Sequence, residues 1–238
     1  MACVITLTGA SGCGKSTIIK ILQEIGDSKK DVLEFKPVVI RKYTTREFRE
    51  NEKRYIEQGK MDELDIKAVS GIDNVIRDEQ GHLLSPEKQD EQRKRLLKKL
   101  KCDLVYEQYG NQYGIRFAEL YECLKRGESP IVILNDVRTV EDVKVYLGKK
   151  CVSLFVFRTT PNIKDFQQMG QERCTRGIEI ENRFKKATAI YRIYIENIHL
   201  FDKLILNVKE GNESLRVILD QLVEQICQKG QMFSNEMR

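Results

Sequence analysis

The 238-residue chain has only 4 prolines, and apolar residues make up 41% of it. That composition excludes an intrinsically disordered chain. No apolar run approaches the roughly 20 residues that a spanning helix needs, so a membrane protein is excluded as well. The seven cysteines are odd in number, stand singly from Cys3 to Cys227 and include no C-x-x-C pair. Reduced thiols without a zinc site are therefore expected, most of them acting as small buried hydrophobes. Met1 to Thr8 lacks a basic n-region, so no secretory signal is read there and a cytoplasmic location is expected. Internal repeats and low-complexity tracts are missing too. Even the charge is short of an extreme: 41 Lys+Arg against 36 Asp+Glu leaves +5. An excess that mild fits either a nucleic-acid surface or cations that serve small anionic substrates.

What is present is enough for one domain, or one domain with an insertion, burying roughly 70% of the surface of the unfolded chain. Val4–Thr8 is a short β-branched run, and Ile18, Ile21, Leu22 and Ile25 recur at helical spacing. Leu33 to Val39 is a second apolar stretch. Pro86 to Lys101 is a strongly charged helix with proline in its first turn. Further on come a helix over Phe117 to Lys125, a buried strand at Pro130–Leu134, a short helix from about Val140 to Leu147 and a strand over Cys151–Phe157. A long helix near Glu179 to Asn197, a strand at Lys203–Asn207 and a helix from about Ser214 to Gln228 complete the pattern. Strands that alternate with helices specify an α/β fold with a mostly parallel sheet.

Between the first strand and the first helix stands Gly9-Ala10-Ser11-Gly12-Cys13-Gly14-Lys15-Ser16, a complete G-x-x-x-x-G-K-S phosphate-binding loop. Its glycines let successive backbone N–H groups turn toward an anion, and the following helix adds its positive end, from Thr17 onward. Lys15 can reach β and γ phosphates, and the Ser16 hydroxyl can ligate Mg²⁺. The loop implies ATP or GTP, not yet a reaction.

Five later segments extend the pattern: Thr44-Thr45-Arg46-x-x-Arg49-x-x-Glu52; Gly110-Asn111-Gln112-Tyr113-Gly114; Leu134-Asn135-Asp136-Val137; Arg176-Gly177 with Ile180-x-x-Arg183-Phe184-x-x-Ala187; and Phe201-Asp202-Lys203-Leu204-Ile205-Leu206-Asn207. In this order, after the phosphate loop, they make the chain resemble the guanylate kinase family of nucleoside-monophosphate kinases. Only Gln58 to Leu100 falls outside the resemblance and reads as an insertion. The resemblance implies transfer of the γ-phosphoryl group of Mg·ATP to GMP, dGMP or a related phosphorylated acceptor. Phosphoryl transfer between two nucleotides needs cations on both sides of the moving group. Arg46 and Arg49 would grip the acceptor phosphate with bidentate forks, and the resemblance adds the Tyr113 hydroxyl. Arg173, Arg176 and Arg183 would close over the donor phosphates as a lid and expel water.

Bland roles stand beside these. Tyr113, in a turn, packs as readily as it binds. Asp136 contacts Mg²⁺ or acceptor by resemblance, or caps the next helix. Asn207 meets the donor base edge by resemblance, or makes a turn. Glu52 and Glu107 stay open.

Three positions depart from the family's guanine-reading set: Lys42 in place of serine, Leu104 in place of an acid, and Ile115 in place of serine or threonine. Asp103 and Glu107 are the nearest carboxylates to take over from the missing acid. Unpaired polar groups on a buried guanine would each cost roughly 1–3 kcal/mol, which points to an acceptor other than GMP. The charged helix of the insertion reads as a solvated face docked by Leu96, Leu97 and Leu100, with Arg93, Lys94 and Arg95 available to a partner or a phosphorylated acceptor.

The expectation is thus one α/β domain of the three-layer phosphate-loop NTPase type. Its core spans about 1–41 and 117–238, its enlarged acceptor-binding region about 42–116 and its lid about 165–183. ATP, Mg²⁺ and a nucleoside monophosphate or similar small phosphate are the partners, without membrane or nucleic acid. Two other classes compete: a non-catalytic scaffold of the guanylate-kinase-like kind, and a basic nucleic-acid-binding ATPase. An intact Lys15 and Ser16 oppose the first; the lack of a clustered basic-aromatic groove opposes the second.

Overall fold

Residues 4–8 are β-branched or leucine at every position and buried at every position, so they take a strand with both faces covered. In the computed structural model this strand, β1 (Val4–Thr8), is the middle of a five-stranded sheet. The structure describes residues 2–10, 12–46, 48, 50–60, 64, 66–69, 78–108, 111–158, 164, 167–168, 181, 184–185, 189, 192–207 and 212–236. The chain divides into two compact units, residues 1–39 with 122–238, and residues 40–121.

The first unit holds β1, α1 (Lys15–Ser28), β2 (Pro37–Val39) and later, beyond the second unit, β7 (Ser129–Ile133), α5 (Val137–Leu147), β8 (Cys151–Arg158), β9 (Lys203–Asn207) and α6 (Asn212–Glu236). Its strands run in the order β2-β7-β1-β8-β9. Every ladder is parallel, with Ile5 opposite Ile131 and Val152, and Arg158 opposite Asn207. On one face, Ile5, Leu7, Ile133, Leu154 and Val156 meet Ile18, Leu22 and Ile25 of α1 and Leu219, Leu222 and Val223 of α6 in a single core. Alternation sends Phe155 to the other face, where its ring packs 4.8 Å from Tyr194 and 4.9 Å from Phe201. There α5 buries Val140, Val143 and Leu147, and Lys144 ties it to Leu200 O and Asp202. Three layers result, as the alternating pattern requires.

The second unit carries a smaller sheet that the apolar pattern does not announce. Its strands are β3 (Lys42–Thr44), β4 (Ile66–Ala68), β5 (Leu104–Gln108) and β6 (Asn111–Ile115), in the order β4-β3-β6-β5. Two helices, α2 (Glu50–Glu57) and α3 (Pro86–Lys99), belong to it, and α4 (Phe117–Lys125) begins in it. Ser85 caps α3, and Leu97 docks it with no exposure. Residues 110–114 were expected to turn, but Asn111–Ile115 is an inner strand paired with β3 and β5, and its residues 112–115 are all buried. Asp103 and Glu107, the carboxylates nearest the missing acid, are both engaged within the unit. Asp103 accepts from Phe117 N at 2.6 Å, capping α4, and Glu107 accepts from Gln112 Nε2 at 3.1 Å. Among the described residues no helix is long and apolar enough to cross a membrane.

Candidate functional site

In a parallel sheet all carboxyl ends lie on one edge, and ligands gather where the strand order reverses. Here that point is beside β1, with β7 on one side and β8 on the other. The loop of Gly9 to Gly14 leaves β1 at this edge. Gly9 has φ +154 and would meet Val156 O and Cys13 Sγ with any Cβ. Gly14, the cap of α1, has φ +99 and supplies no side-chain bond to the helix. No acidic residue occupies the first turn of α1 either. The first N–H groups of the helix thus have neither cap nor counter-charge of their own, which is the condition for binding an anion.

Lys15 curls over the loop, its Nζ donating to Gly9 O at 2.8 Å and Ala10 O at 2.7 Å, with Cys13 Sγ at 3.7 Å. Two side chains from the sheet brace the other half. Asn207 Nδ2 donates to Cys13 O at 2.8 Å, and Arg158 Nη1 donates to Gly12 O at 3.2 Å. Since Arg158 and Asn207 are register partners at the ends of β8 and β9, one rung of the sheet holds two consecutive loop carbonyls. Sequence reasoning singled out Asn207 and missed Arg158. Its position as the last residue of a buried strand on the ligand edge was the available signal.

Ser16 is exposed in the first turn of α1 and Thr17 half-buried behind it. A magnesium ion bound with a nucleotide takes most of its ligands from phosphate and water, and a free-standing hydroxyl beside the loop fits that need. No cluster of three or more His, Cys, Asp or Glu side chains able to hold a metal is found among the described residues. Asp136 lies on the same edge after β7, where its Oδ2 accepts from Thr139 N at 3.2 Å and Thr139 Oγ1 at 3.0 Å. It therefore caps α5.

The second unit gathers its own cluster. Arg46 follows β3, and its two terminal nitrogens donate to Glu52 on α2 at 2.9 and 2.8 Å. Both side chains are largely buried, 15% and 11% exposed. Burial alone would lower the Arg46 pKa, but the hydrogen bond and charge of Glu52, with Tyr113 adding the same, outweigh it and raise it. Tyr113 in turn stacks on Tyr106 at 5.5 Å, and the Lys42 ammonium sits 5.6 Å from the Tyr113 ring centre. Thr45 bonds Gln112 through N and Oγ1, fixing the strand end from which Arg46 projects. The structure thus brings together Arg46, Glu52, Tyr113 and Lys42, of which Glu52 was undecided and Lys42 was noted only as a departure. Ser11, Arg49, Arg173, Arg176 and Arg183 lie outside the described residues, as does the expected lid apart from 167–168 and 181.

A parallel sheet with a glycine-lysine loop between β1 and α1 and helices on both faces is a phosphate-loop nucleotide-binding fold. A family model described as ABC transporter matches residues 2–117, just under half of the chain. No curated protein matches the sequence. Among solved structures, guanylate kinase from Anaplasma phagocytophilum superposes with TM-score 0.56 at 18% identity, covering 95% of this chain and 86% of that one. Shikimate kinase from Acinetobacter baumannii, in complex with shikimate, gives TM-score 0.39 at 13% identity over 100% of this chain and 97% of its own. The first likeness shows the fold; the second is too distant to add to it.

Proposed function

We propose that the chain is a phosphate-loop kinase that transfers the γ-phosphoryl group of Mg·ATP to a nucleoside monophosphate or related small phosphate, GMP and dGMP being the acceptors that the family resemblance implies. The observation that carries this reading is Arg46. A guanidinium held in a two-point grip by Glu52 and hydrogen-bonded with Tyr113 is oriented before any phosphate arrives, so little is lost in ordering it. A nucleotide hydrolase has no need of a second phosphate clasp; a kinase does. The structural likeness to a guanylate kinase supports the same reading at the level of fold.

In the reaction an oxygen of the acceptor phosphate forms a bond to the γ phosphorus while the bond to the bridging oxygen breaks, and ADP leaves with that electron pair. A phosphate oxygen needs no general base, so positioning and charge neutralisation are the protein's share. Lys15 would leave Gly9 O and Ala10 O for the β and γ oxygens. Backbone N–H groups at the start of α1 would hold the β phosphate. Arg46, Arg49 and Tyr113 would hold the acceptor, while Arg173, Arg176 and Arg183 would exclude water. Ser16 would ligate Mg²⁺, which when bound supplies charge neutralisation at the transferring group.

The match to the ABC transporter model favours a second reading, ATP hydrolysis without an acceptor. ADP release measured with and without an acceptor panel separates the two. The kinase reading expects release to rise at least tenfold with a suitable acceptor and to vanish in Lys15→Ala. Equal release in the absence of any acceptor would overturn it, and biological activity intact in Lys15→Ala would revive the scaffold.

A further inference from the structure

Directly paired residues of a sheet share a face, and alternate residues of a strand return to it. In the second sheet Thr44 stands opposite Tyr113, and Tyr113 opposite Tyr106. The next row on the same face pairs Leu104 with Ile115, and the antiparallel ladder carried two residues back along β3 sets Lys42 opposite Ile115. One face therefore presents two rows across three strands: Thr44, Tyr113 and Tyr106, then Lys42, Ile115 and Leu104. The three positions that depart from the guanine-reading set, far apart in sequence, form one continuous row.

Backbone groups of β6 lie in the plane of the sheet and bond to β3 and β5, so recognition on this face is left to side chains. In the second row Ile115 and Leu104 offer only carbon. Lys42 turns its ammonium toward the first row, 5.6 Å from the centre of the Tyr113 ring. Ile115 is 1% exposed and Lys42 2%, so this row is packed as core. The first row is of another kind. Tyr113 is hydrogen-bonded with Arg46 and stacks at 5.5 Å on Tyr106, which holds a phosphate-binding pair in place.

Two residues of strand separate the rows by about 7 Å. A ligand held by its phosphate at Arg46 and Tyr113, and extending along this face, would cover that interval with a sugar. Its nucleobase would then lie on the second row. The polar edge of any base, purine or pyrimidine, would leave water to meet two carbon side chains. Each unpaired group would weaken binding by roughly 5- to 100-fold. A sugar phosphate without a base has nothing to place there.

We infer that the acceptor is a sugar phosphate that carries no nucleobase. The inference rests on the kinase reading of the same site and narrows its acceptor from nucleotides to base-free phosphate esters. The acceptor's phosphate oxygen takes the γ-phosphoryl group as the bond to the bridging oxygen breaks, so the products are ADP and a sugar bearing a diphosphate.

The test compares nucleotides with the same skeleton less its base. Equilibrium binding to the whole chain without ATP is measured for GMP, AMP, UMP, ribose 5-phosphate, a pentose bisphosphate and glucose 6-phosphate. ADP release with Mg·ATP is read for the same six, and mass spectrometry confirms the gain of one phosphoryl group. Ribose 5-phosphate should bind at least as tightly as every nucleotide, and one base-free arm should exceed every nucleotide by tenfold or more in kcat/KM. Leu104→Gln puts a donor and an acceptor at the half-buried end of the second row, so GMP should gain at least fivefold on ribose 5-phosphate in binding. A nucleotide that binds more tightly than ribose 5-phosphate, or is turned over within tenfold of the best base-free arm, would overturn the inference. An unmoved balance in Leu104→Gln, or no binding in any base-free arm, would overturn it too. Base-free binding with no turnover in any arm sinks the kinase reading and keeps the base-free phosphate site, whereas efficient GMP turnover does the reverse. If Leu104→Gln does not fold, the wild-type comparison still decides.

Discussion

Replacing Gly14 by alanine strikes the phosphate loop at two points that can be separated. Gly14 has φ +99, a left-handed value that an alanine adopts at about 1–2 kcal/mol. Its new methyl would also run into Asn207 Nδ2. Asn207 would have to swing away and release Cys13 O, at about 1 kcal/mol for the lost hydrogen bond. Gly14→Ala should therefore destabilise the chain by about 2–3 kcal/mol, and Asn207→Ala by about 1 kcal/mol. The double variant is the informative one. With Asn207 cut back to its Cβ, 3.9 Å away, the methyl makes only ordinary contact with that residue and the bond cannot be lost twice, so the double should cost no more than Gly14→Ala alone. The coupling of about 1 kcal/mol exceeds the few tenths expected of independent sites. Urea unfolding of the four proteins measures it, and binding of a fluorescent ATP analogue reports the loop directly. A double variant whose cost equals the sum of the singles would refute the contact and, with it, the claim that β9 braces the loop.

Glu52→Ala should leave the Arg46 guanidinium without its two-point partner, lowering kcat/KM for the acceptor by roughly 10- to 100-fold with ATP affinity unchanged. Initial-rate kinetics with each substrate varied in turn checks this, and an equal loss toward both would contradict it. The buried thiols set an alkaline limit. Burial pushes Cys3 up to about 12 and Cys102 and Cys151 up to about 11, whereas an unfolded thiol ionises near about 8.5. Between those values the unfolded chain has released protons that the folded chain still holds, so stability is full below about pH 8.5 and falls as pH rises toward 11 to 12. Urea midpoints taken from pH 8 to 10.5 should decline, and Cys151→Ala should flatten the decline; a flat profile in the parent would contradict the burial argument.

The first unit was most readable at β1 and β7, whose residues are buried on both faces. Val4–Thr8 and Pro130–Leu134 appear as unbroken apolar runs, and α1 shows its stripe from Ile18 to Ile25. Starts marked by a cap were missed by a few residues. The helix after β7 begins at Val137, not Val140, since Asp136 rather than the first buried valine determines its origin. The second sheet was not readable. Its strands β3 and β4 have three residues each, and β3 buries a lysine and a threonine where alternation would look for apolar side chains. The same contradiction hid Lys42. A polar residue on an inward face looks like a broken pattern in sequence, and only the pairing of Thr44 with Tyr113 shows that Lys42 lies on the same face as that ring. Glu52 was undecidable for a different reason. Six residues separate it from Arg46, and only the bend after β3 followed by α2 brings the two groups to 2.8 Å.

The two halves of the phosphate loop are held by different means, and this bears on how the loop takes up a nucleotide. Gly9 O and Ala10 O are held by Lys15, a cation that a triphosphate must recruit. Gly12 O and Cys13 O are held by Arg158 and Asn207, which stand on the sheet. If all four carbonyls depended on Lys15, its transfer to phosphate would release the whole loop at the moment its N–H groups are needed in place. Bracing from β8 and β9 keeps the half nearest the helix formed while Lys15 changes partners. Positioning therefore does not wait on binding, a requirement for catalysis that works by preorganised charge. The rung of Arg158 and Asn207 thus braces the phosphate loop, and on the kinase reading proposed above both would act as positioning residues without touching the phosphoryl group.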